Sequence, residues 1–391
     1  MCMSKRFYLM LTMVLVVTLF VSACGNSQTQ NSQPAQQSSS QGTGSKESLK
    51  LGMVGPLTGN TATYGTSVKN GVEIAVDEFN NNGGYNGQNV ELVAEDSRGD
   101  QTEASNATRK LIEQDKVFAI VGAVLSSETL TAAPIANDAG IPMISPSATA
   151  PGVPEVGPYI FRNCIADNVQ AVQMAEYAAK ELGLKRFAVM YTNNDYGLAL
   201  KNAFTDTAKT LGEVVGVEAY MDGDNDFRAQ LSKLKQQNPD ALYIGGYYTE
   251  AAKIAQQAKQ QGLDNVVLLG GDGFYSPQLV ELGGDAVEGA VFTAGFFSGD
   301  PAEPVQKFVS AYKAKFNAEP DMFAAQAYDA ANIVLNALKK AGPDSKAIRE
   351  EMAATKDFPG ITGVTSFDEQ GDAVKQVLIL KVVDGKFTKL R

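Results

Sequence analysis

An α/β chain built as two parallel-sheet lobes is what this sequence predicts, on three observations. Strand-length apolar runs alternate with segments of helical period from Leu49 onward. The alternation restarts after about Asp167 as a second complete set. Three more helices, near 302–316, 322–340 and 344–354, exceed what the second sheet needs, so the chain is expected to return to the first lobe near Thr293. Passages near 166, 293 and 362 would then form a three-strand hinge. Lobe 1 is expected to take residues 48–166 and 294–361, and lobe 2 residues 167–293 and 362–391.

The N-terminus reads as an address. Residues 1–23 carry Lys5 and Arg6, an apolar run from Phe7 to Val21, and Ser22 and Ala23 before Cys24, the layout of a secretory signal. Thr12 and Thr18 interrupt the run, which is shorter than the roughly 20 residues a spanning helix needs. Val21-Ser22-Ala23-Cys24 resembles a bacterial lipobox, in which the cysteine thiol is acylated and becomes the new N-terminus. Its first position is commonly Leu, so Val21 departs mildly. Residues 24–47 are then a lipidated tether, which from Asn26 to Ser45 is Gln, Ser, Asn, Thr and Gly apart from Pro34 and Ala35, too polar to offset the entropy of ordering. About 20 residues of this kind reach roughly 25 Å.

Leu49 to Val54 is a strand closed by Gly55-Pro56, and Val68, Val72, Ala75, Val76 and Phe79 mark one face of a helix that Gly83-Gly84 ends. Strand Val90 to Ala94 precedes a helix with Asp100 as N-cap and Ala104, Ala107, Leu111 and Ile112 inward. Val117 to Val124 and Ile141 to Ile144 read as buried parallel strands. The second set runs helix 169–182, strand 187–191, helix 198–211, strand 214–220, helix 226–237, strand 241–245, helix 249–261 and strand 266–269. Alternation of this kind makes βαβ units and Rossmann-like lobes.

Composition excludes several functions. The 391 residues include no histidine, which removes every mechanism that needs an imidazole, the Ser/His/acid triad among them. A net charge of −11, falling to −13 once Lys5 and Arg6 are cleaved, repels nucleic acid. Cys2, Cys24 and Cys164 are too few and scattered for a disulfide framework or a zinc site, and no cofactor or metal is expected. Asp222, Asp224 and Asp226 resemble the start of a calcium loop, but the twelfth position is Lys233, so a solvated turn is the simpler reading.

Ligands of open parallel sheets bind outside the carboxyl ends of the strands. In the first lobe those ends carry Ser126-Ser127 at a helix start and Ser145-Pro146-Ser147-Ala148-Thr149, hydroxyls beside backbone N–H groups. In the second they carry Asn194-Asp195-Tyr196, Gly246-Tyr247-Tyr248 and Gly270-Gly271-Asp272-Gly273. Hydroxyls on one lobe facing a carboxylate and tyrosines on the other suit a zwitterion.

At these residues the chain resembles the leucine/isoleucine/valine-binding protein family, the solute receptors of branched-chain amino-acid ABC importers, with the type I periplasmic-binding fold. The similarity is carried by Gly55-Pro56-Leu57-Thr58-Gly59, Tyr64-Gly65, Gly122 with Ser126-Ser127, Ser145 to Pro151, Asn194-Asp195-Tyr196-Gly197 and Gly245-Gly246-Tyr247. It runs in register from Leu49 to the C-terminus. The resemblance implies that Ser126 and Thr149, with backbone groups near Ser147, hold a ligand α-carboxylate. It implies that Asp272, where relatives commonly carry Glu, meets the α-ammonium, and that Tyr64, Tyr196 and Tyr247 line the cleft. It also implies a permease partner and a monomer outside the cytoplasm, anchored by the lipid on Cys24. Leu125 and the segment 95–101 lack the cysteines that form a disulfide in some relatives.

Rival readings are a receptor for an amide, dipeptide or aromatic acid on the same fold, an enzyme, or a sensor domain. An enzyme would need a base for Ser126 or Ser127, and no histidine or SxxK pattern supplies one. A sensor would need a membrane span after the receptor, and none follows before Arg391.

Overall fold

The computed structural model describes residues 48–391, so the signal segment 1–23, Cys24 and the tether 24–47 lie outside the described residues. The first sheet is wholly parallel, in the order β2-β1-β3-β4-β5. Its strands are β1 (Leu49–Gly55), β2 (Val90–Asp96), β3 (Ala119–Val121), β4 (Met143–Ser145) and β5 (Ile160–Arg162). Three crossover helices join them, α1 (Ala62–Asn81), α2 (Gln101–Glu113) and α3 (Ser126–Asp138). The Asp100 carboxylate caps α2 by accepting from the N–H groups of Thr102 and Glu103, as its position before the apolar stripe predicts.

The second set comprises α4 (Asp167–Lys180), β6 (Arg186–Thr192), α5 (Asp195–Leu211), β7 (Glu213–Tyr220), α6 (Arg228–Lys235), β8 (Ala241–Gly245), α7 (Tyr248–Gln260), β9 (Val267–Gly270), α8 (Pro277–Gly283) and β10 (Val291–Ala294). Then α9 (Glu303–Phe316), α10 (Met322–Ala341) and α11 (Ser345–Ala353) return to the first sheet, followed by the ribbon β11 (Phe358–Gly360) and β12 (Gly363–Thr365). Helix α10 lies along α1 so closely that a Cβ on Gly71 would stand 2.1 Å from the Ala324 carbonyl oxygen. The Ser67 hydroxyl donates to Asp321, the N-cap of α10, at 2.6 Å in the same seam.

Strands β13 (Leu378–Val383) and β14 (Lys386–Lys389) complete the second sheet, ordered β14-β13-β10-β9-β8-β6-β7. This edge corrects the expectation of two parallel sheets, because β13 runs antiparallel to β10 and β14 antiparallel to β13. Asp384 and Gly385, with φ of 51° and 67°, make the tight two-residue turn that forces a hairpin.

Other expectations shift for local reasons. The apolar run 117–124 pairs only over Ala119–Val121. Beyond it the carbonyls of Ala123 and Val124 accept from the hydroxyls of Ser145 and Ser147 at 2.7 and 2.8 Å, side-chain donors that replace the ladder. Helix α5 starts at Asp195 rather than 198, because Asn194 caps it by accepting from Gly197 N–H. Near the C-terminus, Asp372 still bridges to Arg162 of β5, which holds the chain against the first sheet well beyond position 362.

Candidate functional site

The carboxyl ends of both sheets face one small cavity, lined by Tyr64, Val124, Leu125, Ser126, Ser147, Tyr196, Tyr247, Asp272, Gly273 and Phe323. Six of the seven residues singled out in the sequence are therefore brought together. The seventh, Thr149, is fully buried on the loop after β4, and its Oγ1 has no hydrogen-bond partner among the described residues.

The first wall is built by short strands that stop early. Where β3 ends, the chain turns through Val124 and Leu125 into α3, placing Ser126 at the first helical position, where backbone N–H groups lack intrahelical acceptors. The Ser126 hydroxyl accepts from the Ala150 N–H at 3.2 Å, so the two strand ends are joined. Ser147 gives its proton to the Val124 carbonyl, which leaves its oxygen lone pairs rather than its proton for anything else. The wall is uncharged and rich in donors.

The second wall is aromatic and acidic. Tyr196, in the first turn of α5, stacks on Tyr247 with centroids 5.2 Å apart and planes 5° from parallel. Its hydroxyl donates to Asp272 Oδ1 at 2.8 Å and accepts from the Gly273 N–H at 2.9 Å. Glycine is required there, because a Cβ on residue 273 would lie 2.8 Å from that hydroxyl and 2.6 Å from the Gly246 carbonyl oxygen. Burial raises the Asp272 carboxyl to about 6, the Tyr196 and Gln170 hydrogen bonds offsetting part of the rise.

A second acid was not singled out by sequence. Asp167 opens α4, is fully buried, and neither carboxylate oxygen has a hydrogen-bond partner among the described residues. Burial first, and then the nearby charge of Asp272, push its carboxyl well above the usual range, while the Thr149 hydroxyl beside it and the Arg162 charge offset part of the rise. Its N–H donates to the Thr149 carbonyl at 2.9 Å, which sets the acid beside the hydroxyl loop. As an acid in a first helical turn it looks like ordinary capping chemistry. Its signal lay in β5, whose three residues are too few to read as a strand. Phe323, also missed, stacks on Tyr64 at 4.2 Å and reaches the cavity from α10, a helix whose sequence reads as core.

Contacts cross the cleft mouth. Tyr64 of α1 donates its hydroxyl to the Gly273 carbonyl and accepts from the Tyr248 N–H at 3.2 Å. The Tyr248 hydroxyl donates to the Asn60 carbonyl at 2.9 Å, and the Ser127 hydroxyl donates to Asp195 at 2.6 Å. The two sheets are thus closed over the cavity. It offers hydroxyl and N–H donors on one side, the buried Asp272 carboxylate on the other, and rings with Val124 and Leu125 between them. Among the described residues no group of His, Cys, Asp and Glu is arranged to hold a metal ion.

Comparison with known proteins agrees with this geometry. Residues 48–386 match the family described as periplasmic binding protein. The leucine-, isoleucine-, valine-, threonine-, and alanine-binding protein of Pseudomonas aeruginosa is 34% identical over 330 residues, 83% of this chain and 87% of that protein. The crystal structure of the leucine binding protein LivK from Thermotoga maritima shares 39% identity and a TM-score of 0.83, covering 88% of this chain and 98% of that one. The branched-chain amino acid transporter substrate binding protein LivJ from Streptococcus pneumoniae, solved with isoleucine, shares 36% identity and a TM-score of 0.83, covering 88% and 100%. With its fold and most of its length matched, the chain belongs to the periplasmic binding protein family and is a relative of its leucine/isoleucine/valine-binding members.

Proposed function

We propose that the chain is the extracytoplasmic receptor of an ABC importer for a small aliphatic L-amino acid of the branched-chain kind, and that it acts by binding rather than by catalysis. The single observation that carries the ligand class is the buried Asp272 carboxylate, met only by hydroxyl and amide groups, across the cavity from the Ser126 helix start. Buried carboxylates without a cation are costly, and an α-ammonium supplies one. The α-carboxylate then meets the Ser126 and Thr149 hydroxyls and the N–H groups near Ser147, as a carboxylate meets a helix N-terminus. Tyr64, Tyr196, Tyr247 and Phe323 wall the aliphatic side chain. Leucine, isoleucine, valine and alanine titrated calorimetrically into the protein test the reading. Binding of none of them, with uptake of an acid that lacks an amine, would overturn it.

Delivery follows from closure. The chain passes between the sheets after β5, after β10 and between Asp372 and Leu378, and rotation about these segments opens and shuts the cleft. An unchanged radius of gyration at ligand saturation would refute the hinge. We further infer that Cys24 carries the lipid that holds the receptor, as a monomer, at the membrane face near its permease. Cys24→Ser should release the protein, and a variant that stays membrane-bound would refute the anchor.

A further inference from the structure

We propose that Arg162 is a positioning residue that aims the peptide groups of the 148–150 loop at the ligand carboxylate, and that its ion pair with Asp372 ties this loop to the last passage between the sheets. The inference rests on the amino-acid reading above, since it concerns the carboxylate end of that site.

Arg162 ends β5 and is 2% exposed, yet it never reaches the cavity. Its Nη1 donates to three successive carbonyls, Ala148 at 3.4 Å, Thr149 at 2.9 Å and Ala150 at 2.8 Å. In a trans peptide the C=O and the following N–H point in opposite directions. Carbonyls of Ala148 and Thr149 turned to the guanidinium therefore turn the N–H groups of Thr149 and Ala150 away from it. One of these is seen to face the cleft, for the Ala150 N–H donates to Ser126 Oγ. The Thr149 N–H is aimed to the same side, next to the unpartnered Thr149 hydroxyl. The guanidinium also polarises these peptides, which strengthens their N–H groups as donors to an anion.

The other edge of the guanidinium is occupied. Nε donates to Asp372 Oδ1 at 2.8 Å and Nη2 to Oδ2 at 2.5 Å, a bidentate pair. Asp372 lies between β12 and β13, in the segment that leaves the first sheet for the second. One planar side chain thus fixes both the anion loop and a hinge segment. Lysine, a single point charge, cannot hold three carbonyls and a carboxylate at once.

Full-length wild type, Arg162→Lys and Asp372→Asn, titrated with L-leucine, provide the test, with ¹⁵N-threonine labelling to follow the Thr149 amide. Arg162→Lys should stay folded by circular dichroism, bind leucine at least about tenfold more weakly, and show less than half the wild-type leucine-induced shift of that amide. Asp372→Asn should weaken binding about threefold to tenfold, and it carries the test should Arg162→Lys not fold. A folded variant that binds leucine within twofold of wild type overturns the proposal. So does weakened binding with the wild-type Thr149 shift, which marks a merely structural role. A wild type that binds no amino acid overturns the underlying reading instead.

Discussion

Asp329 and Asp167 are both acids at most 1% exposed, and they are finished differently. Asp329, on α10, accepts from the N–H groups of Ile361 and Thr362 at 2.9 Å each and from the Thr362 hydroxyl at 2.6 Å. Lys375 donates to that same hydroxyl at 2.5 Å, and its charge lowers the carboxyl that burial raises. Both carboxylate oxygens there are spent on holding the β11–β12 ribbon to α10. Asp167 accepts from no backbone N–H, with only the Thr149 hydroxyl and the more distant Arg162 charge to offset its burial, and its neighbour Asp272 is met only by hydroxyl and amide groups. A buried acid whose bonds are made internally is a structural pin, whereas a cleft acid such as Asp272 that meets no cation is half of a binding site.

The contrast can be broken most severely by swapping what is lost. Asp272→Asn should weaken amino-acid binding by about 2 to 5 kcal/mol while leaving the melting temperature of the free protein unchanged or higher, because it removes a buried charge without a cation. Asp329→Ala should do the reverse and cost about 3 kcal/mol of stability, by orphaning two backbone N–H groups and the Lys375 charge, with leucine affinity kept in whatever remains folded. Calorimetry and thermal melts on both variants decide it. Equal losses in both assays for both variants would dissolve the distinction.

A smaller effect comes from the opposite wall. Ser126→Ala should cost about 1.5 to 3 kcal/mol of binding, less than Asp272→Asn, because Thr149 and the N–H groups beside it still hold the carboxylate. An affinity loss larger than that of Asp272→Asn would reverse the assignment of the two ends.

The mildest test is pH. With no histidine in the chain and Asp272 at about 6, affinity should be nearly flat from pH 7 to 8 and fall about tenfold per unit once the acid protonates below 6. The stability of the free protein should move the other way. A carboxyl raised in the folded state binds more protons folded than unfolded between its two pKa values, so its contribution rises as pH falls from about 6 toward 4 and is lost as pH rises through about 6. Leucine should therefore add most to the melting temperature at neutral pH and least near pH 5. A constant increment over that range would mean that Asp272 does not titrate against the ligand.

How much of this was legible in the sequence depended on length of pattern. Strands such as β1 and β8, long enough to show an apolar run, and α1, with a stripe over several turns, could be read directly. The acid flanked by glycines at 270–273 could be picked out after a buried strand, but a turn has the same composition, and its role came from the family resemblance. Three-residue strands carry no period, and β5 was lost with the residues it places, Arg162 and Asp167. Phe323 and Arg162 shared a second obstacle. Each acts where segments more than 150 residues apart meet, and no local pattern records such a meeting.

The seam between α1 and α10 joins Ser67 to Asp321, 254 positions along the chain. That span imposes an order on biosynthesis. As the polypeptide emerges from its N-terminus, the parallel core of the second sheet is complete once β10 has been made. The first lobe must wait for α10, with the face of α1 that carries Ser67 and Gly71 uncovered throughout. The lobe that begins first therefore closes its core after the parallel strands of the other are made. For that interval the nascent chain exposes an uncovered helix face beside a neighbour that still lacks its antiparallel edge, and this is where a chaperone holding the unfinished protein would find its grip.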